Sequence, residues 1–495
     1  MLAVIAATAL MSSWHLDRTY WNDEAWGIDF ALQPTMGKTL QAAVDMQLPG
    51  APGYLIALHL SGKVQSAWPW IFHVPSIVLG LLLMAILALQ AQRLTGNLAA
   101  ACVAPALLLA CPFLQRYITE AKQYSADAAF TTGIIVLTAA WLRAPGAAIA
   151  ALFAVFAALG VTMSFACWFA LPPAFVALGA AWWKKKDKAE LIRIAIAGIF
   201  LALVGALVYF GYAKRAASGQ GDMGFWQSYF LPRNLSMPKA LWDHWVVFFT
   251  AAWQPYSVPP AAMLAVSLAG LGVWVWRDRV TGGVAVGTIL VTILASAASV
   301  WPMAVRTNLA IVVILHMALF AIPCSVLGWW LKRKSHADSP GTKPTWLTWL
   351  SYGGLAATVI GVAVSLAISR GLKHEPSNIR TLLKQAASMA GPDDLVILDW
   401  AADVNQRIEP APIRGKLHSG GWTNMETVVA DYGSLMLAHK QGKSWLVSSM
   451  DNHEREWVWT GLAAALAPHG SWTKAWASHD RRIPIAIYRF EPRGR

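Results

Sequence analysis

Trp21-Asn22-Asp23-Glu24-Ala25-Trp26 places two adjacent carboxylates between tryptophans, a few residues after the first apolar run of the chain. Acidic side chains beside a hydrocarbon phase are costly and are retained where they have a task. Whether such a phase is present is settled by composition. Of 495 residues, 57% are hydrophobic and 13% charged, against about 25% charged in a soluble domain. The chain therefore reads as a polytopic α-helical membrane protein.

Apolar runs near 73–92, 97–113, 121–142, 146–163, 165–183, 191–211, 258–276, 282–300, 307–331 and 346–369 predict ten spans. Residues 2–14 form a thirteen-residue run, short of the roughly 20 that a span needs. A secretory signal peptide would show a basic start and a small-residue cleavage site, and neither is clear. We read the run as a first helix whose start is trimmed, which makes about eleven. Basic clusters separate several runs: Arg93, Arg143, Lys184-Lys185-Lys186, Arg277 with Arg279, and Lys332-Arg333-Lys334. Alternating the loops from an inside N-terminus puts every cluster on the cytoplasmic side, as the positive-inside rule requires. The net charge of +13 is thus used to orient helices and to meet lipid head groups or a phosphate, and does not indicate nucleic acid. Cys102, Cys111, Cys167 and Cys324 lie in or beside apolar segments without metal-ligand spacing and read as small hydrophobic fillers.

The same alternation fixes the outer side. It holds a long first loop, 15–72, a turn at 114–120, an aromatic-rich loop at 212–257, a short turn at 301–306, and everything from about 370 onward. The loop at 212–257 carries Phe225, Trp226, Tyr229, Trp242, Trp245 and Trp253, which suit either interfacial helices or an ordinary aromatic belt. Residues 1–370 form the membrane module and 371–495 a soluble extracytoplasmic α/β domain. In that domain 376–390 reads as an amphipathic helix, 395–398 as a buried strand, 425–440 as a helix, 444–448 as a strand, 453–466 as a helix and 483–490 as the last strand. The alternation predicts a mostly parallel sheet. Asp451-Asn452-His453-Glu454 lacks an i, i+4 histidine pair and reads as a helix start, not a metal cluster.

Three segments deliver polar groups to the outer membrane edge: Asp23 and Glu24; Arg116, Glu120 and Lys122 within 115–124; and Arg306 with Asn308. Tyr117, Glu120 and Tyr124, at i, i+3 and i+7, would share one face of a regular helix. Any one basic side chain could simply snorkel, but the set beside two carboxylates predicts a site. Familiar nucleotide signatures fail. Gly37-Lys38-Thr39 has Leu32 where a P-loop needs glycine, and no Asp-x-Asp pair is present.

These residues resemble the GT-C superfamily of membrane glycosyltransferases, in particular the dolichyl-phosphate-mannose protein mannosyltransferase and aminoarabinose transferase group. Asp23-Glu24-Ala25 is similar to the acidic motif of the first outer loop. Leu48-Pro49-Gly50-Ala51-Pro52-Gly53-Tyr54-Leu55, through His59, resembles its proline-tyrosine stretch without an intact His-Pro-Pro. His73-Val74-Pro75-Ser76, followed by Gly80, resembles an Arg-Leu-Pro-Ser helix start with His73 replacing arginine. Glu120-Ala121-Lys122-Gln123-Tyr124 resembles Glu-Ala-Arg-x-Tyr with Lys122 replacing arginine, and 379–398 is similar to the outer domain of some bacterial members.

The resemblance implies a glycosyltransferase of the bacterial inner (cytoplasmic) membrane, working on its outer face. The implied partners are a polyprenyl-phosphate-sugar donor, membrane lipids, and a glycolipid, polysaccharide or protein acceptor. Asp23 would be the general base of an inverting transfer, with Glu24 beside it. Arg306, Lys122 and Arg116 would hold the donor phosphate, and Glu120, Tyr117, Tyr124, Tyr54 and His59 would line the substrate site. No cofactor is certain. Carboxylates alone, Asp23 and Glu24, would favour a hard divalent ion such as Mg²⁺ or Mn²⁺. The alternative is a transporter or flippase of lipid-linked sugars. Such a protein should place ionisable groups near the bilayer midplane, whereas here they gather at one edge.

Overall fold

The computed structural model describes residues 20, 22–46, 50–65, 69–95, 111–217, 227–253, 259–319, 321, 379–408, 411–419, 425–439, 442–448, 456–477 and 485–493. The expected spans at 2–14 and 346–369, and nearly all of 97–113, lie outside these residues, as do Cys102 and Cys324.

Three short helices come first: α1 (Asn22–Ala31), α2 (Met36–Asp45) and α3 (Pro52–Gly62). A 3-10 turn, Pro69–His73, leads into α4 (Val74–Thr95), followed by α5 (Pro112–Thr119), α6 (Tyr124–Arg143), α7 (Ala147–Met163), α8 (Leu171–Lys185) and α9 (Lys188–Val208). The last of these runs on through a π-helical turn, Tyr209–Ala213. Then come α10 (Met237–Trp253), α11 (Pro260–Arg277), α12 (Arg279–Ala297) and α13 (Arg306–Leu319). The C-terminal part comprises α14 (Ile379–Met389), β1 (Leu395–Leu398), α15 (Trp400–Ile408), β2 (Lys416–Ser419), α16 (Met425–Ala438), β3 (Ser444–Ser448), α17 (Glu456–Leu466), β4 (Gly470–Ala477) and β5 (Ala486–Pro492).

The described residues fall into two compact units. One comprises those within 35–57 and 73–372, the other those within 17–34, 58–72 and 373–495.

The first unit is the membrane module. Among the described residues six helices are long and apolar enough to cross a bilayer: Trp70–Leu94, Tyr124–Arg143, Ala166–Lys185, Lys188–Ala216, Pro260–Arg277 and Arg279–Ala297. Ala147–Met163 and Arg306–Leu319 are shorter apolar helices. On α9, Ile192, Ile196, Ile199, Leu203 and Leu207 are 59–74% exposed along one stripe. Such a stripe is unfavourable in water and at home in lipid. By contrast α6 is almost wholly buried, packed by α4, α7, α8 and α12. Its small residues permit this approach: a Cβ added at Gly133 would run into the Phe156 ring. The chain is a multi-pass membrane protein.

At one end of α6, Arg143 and the Arg93 guanidinium of α4 both contact the Asp278 carboxylate, at 3.4 and 3.1 Å. Asp278 also accepts from the Thr281 N–H and so caps α12. Two of the basic clusters assigned to the cytoplasmic side thus share one carboxylate. The aromatics of α10 divide: Trp245, Phe248 and Phe249 are buried, with Phe249 stacked 4.8 Å from His316, while Trp242 stays exposed.

The second unit carries a five-stranded sheet in the order β2-β1-β3-β5-β4. The predicted helices and strands appear close to their expected bounds, but the sheet is mixed, not mostly parallel. Strands β2, β1 and β3 run parallel, while β5 is antiparallel to both β3 and β4. The connection from Ala477 to Ala486 is shorter than the dozen or more residues of a parallel crossover, so β4 and β5 pair antiparallel. Leu395, Ile397, Leu446, Tyr488 and Phe490 meet Tyr432, Met436, Leu462 and Leu466 in one core, and α14 covers β3 and β5.

Candidate active site

The regular helix expected through Tyr117, Glu120 and Tyr124 does not form. α5 ends at Thr119, α6 begins at Tyr124, and Glu120 between them is extended at φ −64°, ψ 135°. The cause lies in the carbonyls, which a helix end leaves without i+4 partners. His73 Nδ1 lies 2.9 Å from the Thr119 carbonyl. The Ser76 hydroxyl donates to the Glu120 carbonyl and lies 3.1 Å from that of Lys122. The Lys122 N–H donates to the Glu120 carbonyl at 2.7 Å. Because the single Ser76 hydrogen points at carbonyls, the Tyr54 hydroxyl 2.5 Å away is the donor to Ser76 Oγ. The Ala51 N–H donates to Gln123 Oε1 at 3.3 Å. The side chains of His73 and Ser76, with Tyr54 behind Ser76 and the Ala51 N–H on the Gln123 side chain, therefore hold 119–123 out of helical geometry.

Local sequence makes this possible. Pro52, Pro75 and Pro112 sit in the first turns of α3, α4 and α5, where a missing N–H costs nothing. Gly80 lets α5 lie close on α4, since a Cβ there would collide with Ile118, next to the Thr119 carbonyl that His73 meets.

The charges sort themselves around this break. Arg116 Nε lies 3.0 Å from Glu120 Oε1, with the glutamate side chain fully buried and the arginine 39% exposed. The guanidinium lies 5.8 Å from the Tyr117 ring centre, and Tyr117 meets Tyr124 edge to face at 5.0 Å. Lys122 is half-buried on a turn fixed through its neighbours' carbonyls. Arg306 opens α13, whose first turn lies against α6. That turn is tied by the buried Asn308, whose Nδ2 donates to the carbonyls of Pro302 and Ala304 at 2.7 and 2.9 Å. Within this unit Tyr54, Arg116, Tyr117, Glu120, Lys122 and Tyr124 are brought together around one break.

Asp23, Glu24 and His59 belong to the second unit. Position 23 lies in the first turn of α1, with its side chain outside the described residues. Glu24 is fully buried. Consecutive positions on a helix diverge by about 100° and do not face each other. His59 is buried, its Nδ1 3.1 Å from the Ala31 carbonyl at the end of α1. Among the described residues no three His, Cys, Asp or Glu side chains gather to hold a metal.

Ser76 and Gln123 were visible in the sequence, but serine near a helix start normally signals only a cap. Asp127 carried no signal at all. It is buried in α6, accepts from Ser164 Oγ at 2.6 Å, and so fastens the tight turn after α7.

Over nearly its whole length the chain is similar in fold to solved membrane proteins. ArnT from Cupriavidus metallidurans in the apo state matches with a TM-score of 0.59 and 12% identity, over 98% of this chain and 97% of that one. The same protein bound to undecaprenyl phosphate gives a TM-score of 0.57 at 12% identity, over the same shares. The Archaeoglobus fulgidus oligosaccharyltransferase in the apo form gives 0.51 and 14%, over 95% and 73%. This is the fold of the GT-C membrane glycosyltransferases. The chain matches no protein-family model and no curated protein in sequence, so the GT-C likeness rests on shape.

Proposed function

We propose that the protein transfers a sugar from a polyprenyl-phosphate donor to an acceptor hydroxyl on the outer face of a bacterial inner membrane. The observation that carries this reading is the break at 119–123, where contacts from 51–54 and 73–76 hold Lys122 and the buried, Arg116-paired Glu120 in irregular backbone at the end of a membrane helix. The GT-C fold, which in ArnT accompanies bound undecaprenyl phosphate, supports the choice of donor.

In this mechanism the acceptor oxygen attacks the anomeric carbon, and the bond from that carbon to the phosphate oxygen breaks with inversion. Asp23 takes the hydroxyl proton. The electron pair leaves on the polyprenyl phosphate, whose charge is met by Lys122 and Arg306. Arg116 is partly neutralised by Glu120 and contributes less. Lysine at 122 supplies charge without the bidentate geometry of arginine. Glu24, buried and turned from its neighbour by the helix, supports α1. Tyr117, Tyr124, Tyr54 and His59 shape the site without moving protons. The acceptor is a glycolipid, a polysaccharide or a protein.

The test is sugar transfer by the full-length protein in vesicles containing an undecaprenyl-phosphate sugar. Replacing Asp23→Asn should lower the rate about 10²- to 10⁴-fold, the range for losing a general base, with normal membrane accumulation. Undiminished transfer by this variant would remove Asp23 from the mechanism. Donor crossing the bilayer without any transfer would favour transport.

A further inference from the structure

The helix that carries Asp23 is held from a distance. The N–H of Tyr20, at the entry to α1, donates to Asn405 Oδ1 at 3.1 Å. Asn405 Nδ2 donates back to the Tyr20 carbonyl at 2.8 Å. Both residues are buried, at 3% and 5% exposure, and 385 positions separate them in sequence. One amide thus satisfies both backbone groups of the residue that leads into α1. A second hold acts further along: Arg407 donates to Asp29 Oδ1 at 2.6 Å and is itself braced by Asp403 at 3.1 Å. His59 meets the Ala31 carbonyl, and Tyr20 packs edge to face on Phe72 at 5.8 Å. Asn405 and Arg407 lie on α15, between the first two strands of the C-terminal sheet in chain order, and α15 packs along α1. Both helices belong to one compact unit.

We propose that the C-terminal domain is part of the catalytic machinery, with Asn405 and Arg407 as positioning residues for the helix that presents Asp23. This rests on the reading of Asp23 as the base. A backbone gripped at its entry and again near its far end has little freedom to shift along or about its axis. The grip is specific: only a side-chain amide of asparagine length offers the donor and the acceptor that one residue's N–H and C=O require. Acceptor choice alone would not need the sheet domain to take hold of the first outer loop.

The experiment compares full-length wild type with Asp23→Asn, Asn405→Ala, Arg407→Gln and Arg407→Lys in the vesicle transfer assay. Positioning predicts that Asn405→Ala lowers kcat about 10²-fold, the cost of a misplacement near 1 Å. The donor KM should stay unchanged, and the acid limb of the pH–rate profile should move. Arg407→Gln should lower kcat about 3-fold, as an exposed ion pair allows, with Arg407→Lys restoring it. A wild-type kcat and pH profile in Asn405→Ala, with Asp23→Asn inactive, overturns the proposal and leaves the base in place. An active Asp23→Asn overturns the underlying reading instead. If Asn405→Ala fails to accumulate, the Arg407 pair decides: loss with glutamine and recovery with lysine supports positioning, and wild-type kcat in both variants overturns it.

Discussion

The two ends of α6 carry similar numbers of charged and polar side chains and use them in opposite ways. At the end expected to face the cytoplasm, here called the inner end, Arg93, Arg143 and Asp278 pair with one another, Asp278 caps α12, and the helices finish in ordinary fashion. At the outer end, His73 and Ser76 engage main-chain carbonyls, with Tyr54 behind Ser76, and keep 120–123 from becoming helix. The inner cluster makes regular structure cheaper. The outer cluster sustains irregular structure that would otherwise relax. Irregular backbone at membrane depth is tolerated where protein buries it or a water-filled cavity meets it, and it is here that we propose the donor is met.

The contrast breaks most visibly at Ser76. Replacing Ser76→Ala removes the donor to two carbonyls and the acceptor of Tyr54. Transfer should fall about 10²-fold while the fold survives, as measured by vesicle assay and thermal melting on the same preparation. A wild-type rate would show that the break needs no such support. The inner end should answer differently. Asp278→Ala leaves Arg93 and Arg143 facing each other and should lower stability by about 3 kcal/mol, as for a broken buried pair. Activity per folded molecule should remain unchanged, and a selective loss of kcat would erase the distinction between the two ends.

The C-terminal sheet offers a smaller instance of the outer kind. Burial would raise the Asp394 carboxyl, but hydrogen bonds from the Gly391 N–H, Trp445 Nε1 and the Lys443 N–H hold it below its ordinary value. A depressed folded value stabilises above the unfolded one, near about 3.9, and that stability is lost as pH falls through the folded value. Melting of wild type between pH 7 and pH 3 should therefore show an acid loss that Asp394→Asn lacks. The difference should be about 1.5 kcal/mol, the worth of hydrogen bonds to a charged acceptor. Equal slopes would mean that these loops stand without the charge.

Spans, and which basic clusters share one end of the helices, were legible because they depend on composition over long windows. The basic residues at 93 and 143 were assigned to one side, and they meet at Asp278. In the sheet domain, β1, β3 and β5 announced themselves as apolar runs. β4 did not, since Gly470-Ser471-Trp472-Thr473-Lys474 is an edge strand with few apolar positions to alternate. The motif order around Tyr54, His73, Ser76 and Glu120 was readable, but the break itself was not. Helical spacing at Tyr117, Glu120 and Tyr124 is a local pattern, whereas the groups that override it lie 44 or more positions from the carbonyls they meet. No window of sequence could pair Tyr20 with Asn405.

That pairing sets an order on synthesis. The acidic stretch leaves the ribosome early, and the amide that grips it is made 385 residues later. At translation speeds of about 5–20 residues per second the delay is roughly 20–80 seconds. Through that interval the stretch leading into α1 stands without the two hydrogen bonds from Asn405. A chain interrupted before α15 would carry all its described membrane helices and still lack a settled α1. On the positioning role proposed for Asn405, completion of the polypeptide would itself be the step that sets α1 in place.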